Sequence, residues 1–473
     1  MNRSQQVDVF FNPDGVAVIG ASDSKGGYYL LHQILGGYKG RLFPVNPRHS
    51  SLQGVPCYKT IDDIPEAFDL AVFFIPARHL PDAIEACARK RAKGIIIESA
   101  GFAETGAAGR ELQERCVALA RKHGIRLWGP NCMGTLDAHR RHVFSFLYSD
   151  NWKTLLKPGN AALVVQSGML SAIFLMMILE RGGLGMSKIC SIGNKCDVDE
   201  TELLEYLLQD GQTGVIGMYV ESITQGERFL NLSRGSAKPI VVLKGGRSPS
   251  GAQAALSHTA SLAGDYAVME KAFHQAGVVP VKDMHELMDI VRGFSKTPHL
   301  HGMAAHRGTA VLTFSGGGGI VTADMLHDHG LAPASLSEAT IRALKEVFPS
   351  WMEPANPVDV WPAIETSGME KVHTLAARAL MEDEAVDSLI VHVFGLLMKS
   401  EYLEELSRLK DRLGKPVALW MAGPDDMTRP LRTAFEDMGL PVFDEMSRAV
   451  GFIAASKKRA LTQRSSRPLI TDK

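Results

Sequence analysis

Short apolar runs alternate with stretches of helical periodicity along the first part of the chain, at residues 16–19, 41–45, 70–75, 94–97 and 125–128. Strand and helix signals at this spacing predict a parallel sheet with helices packed on it. Ligands of such sheets gather at the carboxyl ends of the strands. Here those ends carry Gly20-Ala21-Ser22, Asn46-Pro47, Pro76-Ala77, Ser99-Ala100-Gly101 and Gly129-Pro130-Asn131.

The pattern starts again near Pro158. A run at 161–165 leads into Gln166-Ser167-Gly168 and an apolar stretch at 169–179, read as a buried helix; runs at 215–220, ending in Glu221, and at 239–244 follow. After a polar stretch at 295–307, read as a linker, a third block begins. Residues 310–314 run into Ser315-Gly316-Gly317-Gly318-Gly319, and further strands are expected at 388–394, 416–420 and 441–443. The expected division is 1–140, 150–295 and 305–460, an α/β chain of three parallel-sheet domains. The basic and polar tail after Ser456 is expected to be mobile.

Composition narrows the class. The 473 residues are 45% apolar and 22% charged with a net charge of −1, so no basic surface of the kind nucleic acid requires is indicated. The N-terminus lacks an apolar targeting core, and the stretch at 169–179 is too short to cross a bilayer. Six cysteines without a CxxC pair indicate neither a zinc ribbon nor a redox couple, and fit a reducing cytoplasm.

Three features carry chemistry. The first turn, Gly20-Ala21-Ser22-Asp23-Ser24-Lys25-Gly26-Gly27, does not match GxGxxG, and the second strand ends in Asn46 where an NAD ribose would meet an acidic residue. A nicotinamide-dependent oxidoreductase is therefore disfavoured, while a glycine- and serine-rich helix start still suits another phosphate-bearing ligand. Gln166-Ser167-Gly168 is a second such turn. Third, Ser257-His258-Thr259-Ala260 sets a histidine among small and hydroxyl residues after Gly245-Gly246-Arg247, a setting suited to an imidazole that carries a phosphoryl group, with Arg247 adding positive charge. Ser315 to Gly319 is either another anion loop or a tight packing turn.

Together, Val18-Ile19-Gly20-Ala21-Ser22, Tyr38-Lys39-Gly40 with Pro44-Val45-Asn46-Pro47, Ser99 to Glu104, Gly129-Pro130-Asn131-Cys132, Gln166-Ser167-Gly168, Gly193-Asn194-Lys195 with Asp197, and Ser257-His258-Thr259 resemble the NDP-forming acyl-CoA synthetases of the succinyl-CoA synthetase superfamily. The resemblance covers nearly the whole chain. It implies a Rossmann-like CoA-binding domain followed by two flavodoxin-like domains, and conversion of carboxylic acid, CoA and ATP to acyl-CoA, ADP and phosphate through acyl phosphate and phosphohistidine. It makes His258 the phosphorylated residue and Glu221 its carboxylate partner; as a strand-end residue, Glu221 could equally be solvated or pair with Lys195. Gln166, Ser167, Gly168, Gly193, Asn194, Ser257 and Thr259 would surround the phosphate; Asn194 and Asp197 read equally well as turn and capping residues. CoA would lie near Gly20, Ser22, Lys25, Gly26, Asn46, Pro76, Glu104 and Asn131.

No segment is left for the ATP-grasp domain of many relatives. ATP or ADP with its Mg²⁺ would then belong to an ATP-grasp partner in a cytoplasmic hetero-oligomer, with no metal site here. One departure is Ala260, where the ADP-forming branch often has glycine. It leaves open a silent CoA-binding or regulatory module of the same fold.

Overall fold

In the computed structural model the described residues are 3–147, 156–259, 265–297, 303 and 307–465, without the side chains of 256–259 and 464–465. The chain divides into two compact units, Met1–Ala276 with Pro280–Met284, and Gly277–Val279 with His285–Lys473. The first holds two large sheets.

The first sheet is formed by β1 (Gly15–Ile19), β2 (Arg41–Val45), β5 (Leu70–Phe73), β6 (Gly94–Ile97) and β7 (Arg126–Trp128), with a small ribbon of β3 (Ser51–Leu52) and β4 (Val55–Pro56) between β2 and β5 in sequence. The spatial order is β2-β1-β5-β6-β7, all parallel. Strands β1, β5 and β6 are buried along their whole length, as expected where helices cover both faces of a parallel sheet.

The second sheet takes β8 (Thr135–Asp137), β9 (His142–Phe144), β10 (Pro158–Val165), β11 (Met186–Ser191), β12 (Val215–Val220), β13 (Ile240–Lys244) and β14 (Val279–Val281) in the order β14-β13-β12-β10-β11-β8-β9. Its centre is parallel, but β8 and β9 form an antiparallel hairpin on β11. That hairpin and β11 were not expected. Three-residue strands carry too little periodicity to register, and β11 interleaves Ser187, Lys188 and Ser191 with its apolar residues.

Hydrogen bonds to backbone carbonyls join the two sheets at their strand ends. The Trp128 indole N–H donates to the Ser191 carbonyl at 2.7 Å, the Asn194 N–H to Pro130 at 2.9 Å and the Cys196 N–H to Gly129 at 2.9 Å. The carboxyl edge of the first sheet is therefore fixed against the loop that follows β11.

The second unit is built on β15 (Gly308–Thr313), β16 (Val358–Asp359), β17 (Val386–Phe394), β18 (Val417–Ala422) and β19 (Val442–Phe443), in the parallel order β16-β15-β17-β18-β19. A buried Arg292–Glu436 ion pair at 2.7 Å ties two of its helices.

Two expectations need correction. The helix Gly168–Arg181 buries only one face, through Ala172, Phe174, Leu175 and Ile178, while Met169, Ile173 and Met176 are exposed; a nearly all-apolar sequence hides which face is covered. After Ser456 the chain continues as the helix Met446–Ser465, anchored by the buried Arg459, which donates to the Gly277 carbonyl at 3.0 Å; the rest of the tail, 466–473, lies outside the described residues. No helix among the described residues is long and apolar enough to cross a membrane.

Candidate functional site

The site is assembled from the carboxyl edges of the first two sheets. After β1, Gly20 has φ +89°, and a Cβ there would lie 2.3 Å from the Phe74 carbonyl oxygen, so the position requires glycine. Gly26 has no room either, since a Cβ would lie 2.3 Å from the Phe74 ring. Ser22 donates to the Ser24 carbonyl at 2.9 Å, and Lys25 begins the helix Lys25–Gly37 with its side chain exposed. Asn46, at the end of β2, donates to the Ala21 carbonyl at 2.7 Å and accepts from the Arg48 N–H at 2.9 Å. It fastens the first turn to the neighbouring strand. Pro76 caps the short turn after β5.

Glu104, Asn131 and Asn194 meet. One Glu104 oxygen accepts from the Gly101 and Phe102 N–H groups at 2.6 and 3.0 Å; the other accepts from the Asn194 amide at 2.6 Å. Burial works against its charge, but these hydrogen bonds outweigh it and hold the carboxyl below its ordinary value. Gln113, absent from the expected set, accepts from the same amide at 3.0 Å. Asn131, at φ +56°, approaches Asn194 at 3.5 Å. Gly193, at φ +50°, passes so close to the Pro130 carbonyl that a Cβ would lie 2.1 Å from it. The helix Pro249–Thr259, which carries Ser257, His258 and Thr259 in its last turn, lies against the Ala103–Thr105 turn. The side chains of those three residues, and all of Ala260, fall outside the described residues.

At the second sheet Ser167 caps the helix Gly168–Arg181, its hydroxyl accepting from the Leu170 N–H at 3.4 Å. The helix dipole and the backbone N–H groups of a helix start suit an anion. Gln166 also does work that was not expected. It is 2% exposed, and its carbonyl oxygen accepts from the Glu221 N–H at 2.8 Å and the Ser222 N–H at 3.3 Å. The Lys244 ammonium, 3% exposed, donates to the Glu221 backbone carbonyl at 2.6 Å and also to the Gly245 carbonyl. Burial pushes the Lys244 pKa down, Glu221 opposes that, and Lys195 adds to it. Lys195 pairs with Glu200 at 2.6 Å and donates to the Ser222 carbonyl at 2.7 Å, not to the Glu221 side chain. Three side chains, two from loops and one from the end of β13, thus hold the backbone at Glu221 and Ser222. The Glu221 carboxylate accepts from the Tyr219 hydroxyl at 3.3 Å, and its Cγ would lie 3.4 Å from a Cβ on Gly245. The expected carboxylate therefore borders the start of the loop leading to His258.

Other expected residues face elsewhere. Arg247 donates to the Lys282 carbonyl at 2.9 Å and lies over the Tyr266 ring. Asp197 accepts from Arg126 at 2.8 Å and Arg3 at 2.9 Å. At the third sheet Ser315 caps the helix Gly316–Asp328, and a Cβ on Gly319 would lie 2.9 Å from Pro357; at Gly319 the turn serves packing. No group of three or more His, Cys, Asp or Glu among the described residues could hold a metal ion.

Two family models match the chain. Residues 14–138 match a CoA binding domain and residues 158–294 a succinyl-CoA ligase like flavodoxin domain. Among curated proteins, the acetate–CoA ligase (ADP-forming) II of Archaeoglobus fulgidus is 36% identical over 458 residues, covering 96% of this chain and 67% of that protein. The acetate–CoA ligase (ADP-forming) II subunit alpha of Pyrococcus furiosus is 35% identical over 449 residues, covering 93% and 94%. Among solved structures, the dinucleotide forming acetyl-coenzyme A synthetase 1 of Candidatus Korarchaeum cryptofilum, in complex with phosphate and ADP, superposes with a TM-score of 0.86 at 30% identity, covering 97% of each chain.

Proposed function

The chain belongs to the ADP-forming acetate–CoA ligase family, and from that premise we propose that it is the CoA-binding, phosphohistidine-carrying subunit of an ADP-forming acyl-CoA synthetase. It would act in the cytoplasm with a partner that supplies the ATP-grasp domain and holds the nucleotide and its Mg²⁺. The three large sheets are read as three domains, the first binding CoA.

The arrangement around Glu221 supports this reading most directly. A carboxylate at a strand end, fixed through its backbone by Gln166, Lys244 and Lys195, borders the loop that leads to the histidine. Such a carboxylate can hold one imidazole nitrogen and support the charge that develops as the other takes a phosphoryl group. The phosphate would rest at the start of the helix Gly168–Arg181, beside Ser167. CoA would extend along the carboxyl edge of the first sheet, from the turn at Gly20, Ser22, Lys25 and Gly26 past Pro76 toward Glu104, Asn131 and Asn194. Gly193 is needed there for close approach of backbones.

The test needs no ATP. The purified chain is incubated with acyl-CoA and radiolabelled phosphate, and compared with His258→Ala and Glu221→Gln. The expected result is an acid-labile, base-stable label that His258→Ala abolishes and that forms about a hundredfold more slowly in Glu221→Gln. CoA binding without any label in the native chain would favour a silent binding module.

A further inference from the structure

Glu98 immediately follows β6 and is 4% exposed, yet neither of its carboxyl oxygens makes a hydrogen bond of ordinary geometry. Buried carboxylates are normally paired or hydrogen-bonded. Burial raises the Glu98 pKa well above its ordinary value, opposed only by the Phe146 backbone, and so favours the protonated carboxyl. A leucine or methionine at this strand end would cost nothing in desolvation, whereas an acid does.

Its surroundings place it on the ligand edge of the first sheet, between the two regions that would receive the ends of CoA. On one side, Phe146 packs against Phe74 with tilted rings 5.2 Å apart, and the Phe74 ring closes against Gly26 at the first turn. On the other, a Cβ at Gly134 would lie 2.9 Å from Glu98 Oε1, and the next residue back, Met133, lies 3.4 Å from a Cβ position on Gly168. One short segment therefore separates the carboxyl from the turn proposed to hold phosphate. A CoA chain that ran from the first turn toward that phosphate would bring its sulfur end to this side of the sheet edge.

We propose that Glu98 is the acid–base group for the CoA sulfur. Phosphate attacks the thioester carbonyl and the C–S bond breaks. The departing sulfur takes the Glu98 proton, and the proton released by the attacking phosphate hydroxyl restores the carboxyl. Acyl phosphate and free thiol result with no net change in Glu98. In the opposite direction the Glu98 carboxyl gives its proton to the departing phosphate oxygen and regains one from the thiol as sulfur attacks acyl phosphate. The role rests on the function proposed above, but its test separates the two.

The experiment follows labelling of His258 by two routes, from acetyl-CoA with radiolabelled phosphate, which must pass through the sulfur step, and from radiolabelled acetyl phosphate, which bypasses it. Glu98→Gln keeps the shape and a hydrogen-bond donor but cannot exchange a proton. It should slow the first route about a hundredfold, the low end for a lost acid–base group, and leave the second at the native rate. Glu98→Met, which removes the buried polar group and so should fold at least as well, should be equally slow on the first route. Native rates by both routes in Glu98→Gln, equal slowing of both, or recovery of the first route in Glu98→Met would each overturn the role. Failure of the native chain to label from acetyl phosphate would instead count against the phosphohistidine reading.

Discussion

Gln166 shows how little a single residue says of its full role at the level of sequence. A polar side chain between a strand and a glycine-started helix reads as a phosphate contact, but its carbonyl oxygen is taken by two N–H groups of the neighbouring strand end. Turns that bind ligands and turns that fasten strands share the same residue types. His392 was not singled out at all, because one histidine inside an apolar strand gives no sequence signal. It is 1% exposed on β17, bonded to Thr313 and Thr322 at 2.9 and 3.1 Å, and burial pushes its pKa down to about 4. An unfolded histidine titrates near pH 6.5. Below that pH the unfolded chain gains a proton that the folded chain refuses until about pH 4, so stability falls as pH drops through this window and is unaffected above it. The full loss is about 3 kcal/mol for the unit built on the third sheet. Denaturant unfolding across the window should show this slope, and His392→Asn should flatten it; an unchanged slope in the variant would assign the pH dependence to other groups.

At the scale of elements, the central strands were legible because parallel strands covered on both faces are continuous apolar runs. The connections were less so. Asp197, read as a pocket or capping residue, joins Glu202 in holding Arg126 at the end of the first sheet, with Arg126–Glu202 contacts at 2.8 Å. Burial alone would weaken the Arg126 charge, but its bonds to Glu202 and Asp197 outweigh that. These partners lie 71 and 76 residues apart in sequence, so no local pattern announces them. Arg126→Met should leave two buried carboxylates without their main cation, a change that costs about 3–5 kcal/mol. Arg3, still 2.9 Å from Asp197, should keep the loss near the lower value. Because the same loop carries Gly193 and Asn194, the variant should also weaken CoA binding, measured by calorimetry. Full stability with unchanged affinity would mean that the backbone bonds between the sheets suffice without the ion pairs.

At the scale of the molecule, the order of motifs told more than any one of them. Each glycine-bearing turn alone is common, whereas their succession over three sheets identified the family, and matches over more than nine-tenths of the chain agree. What the order of motifs left open was which side chains reach a ligand, since Asn46, Gln166 and Arg247 bond to other parts of the protein in the structure. The proposed division of labour has a consequence for phosphoryl flow. Acyl-CoA and phosphate need only the CoA edge, the phosphate turn and His258, but transfer to ADP needs an ATP-grasp site that the proposal assigns to a partner. The labelled chain, freed of acyl-CoA and given ADP with Mg²⁺, should therefore keep its label, and adding an ATP-grasp subunit of the same family should release it as ATP. Discharge to ADP by the chain alone would place a nucleotide site within these three sheets and remove the need for a partner in that half of the reaction.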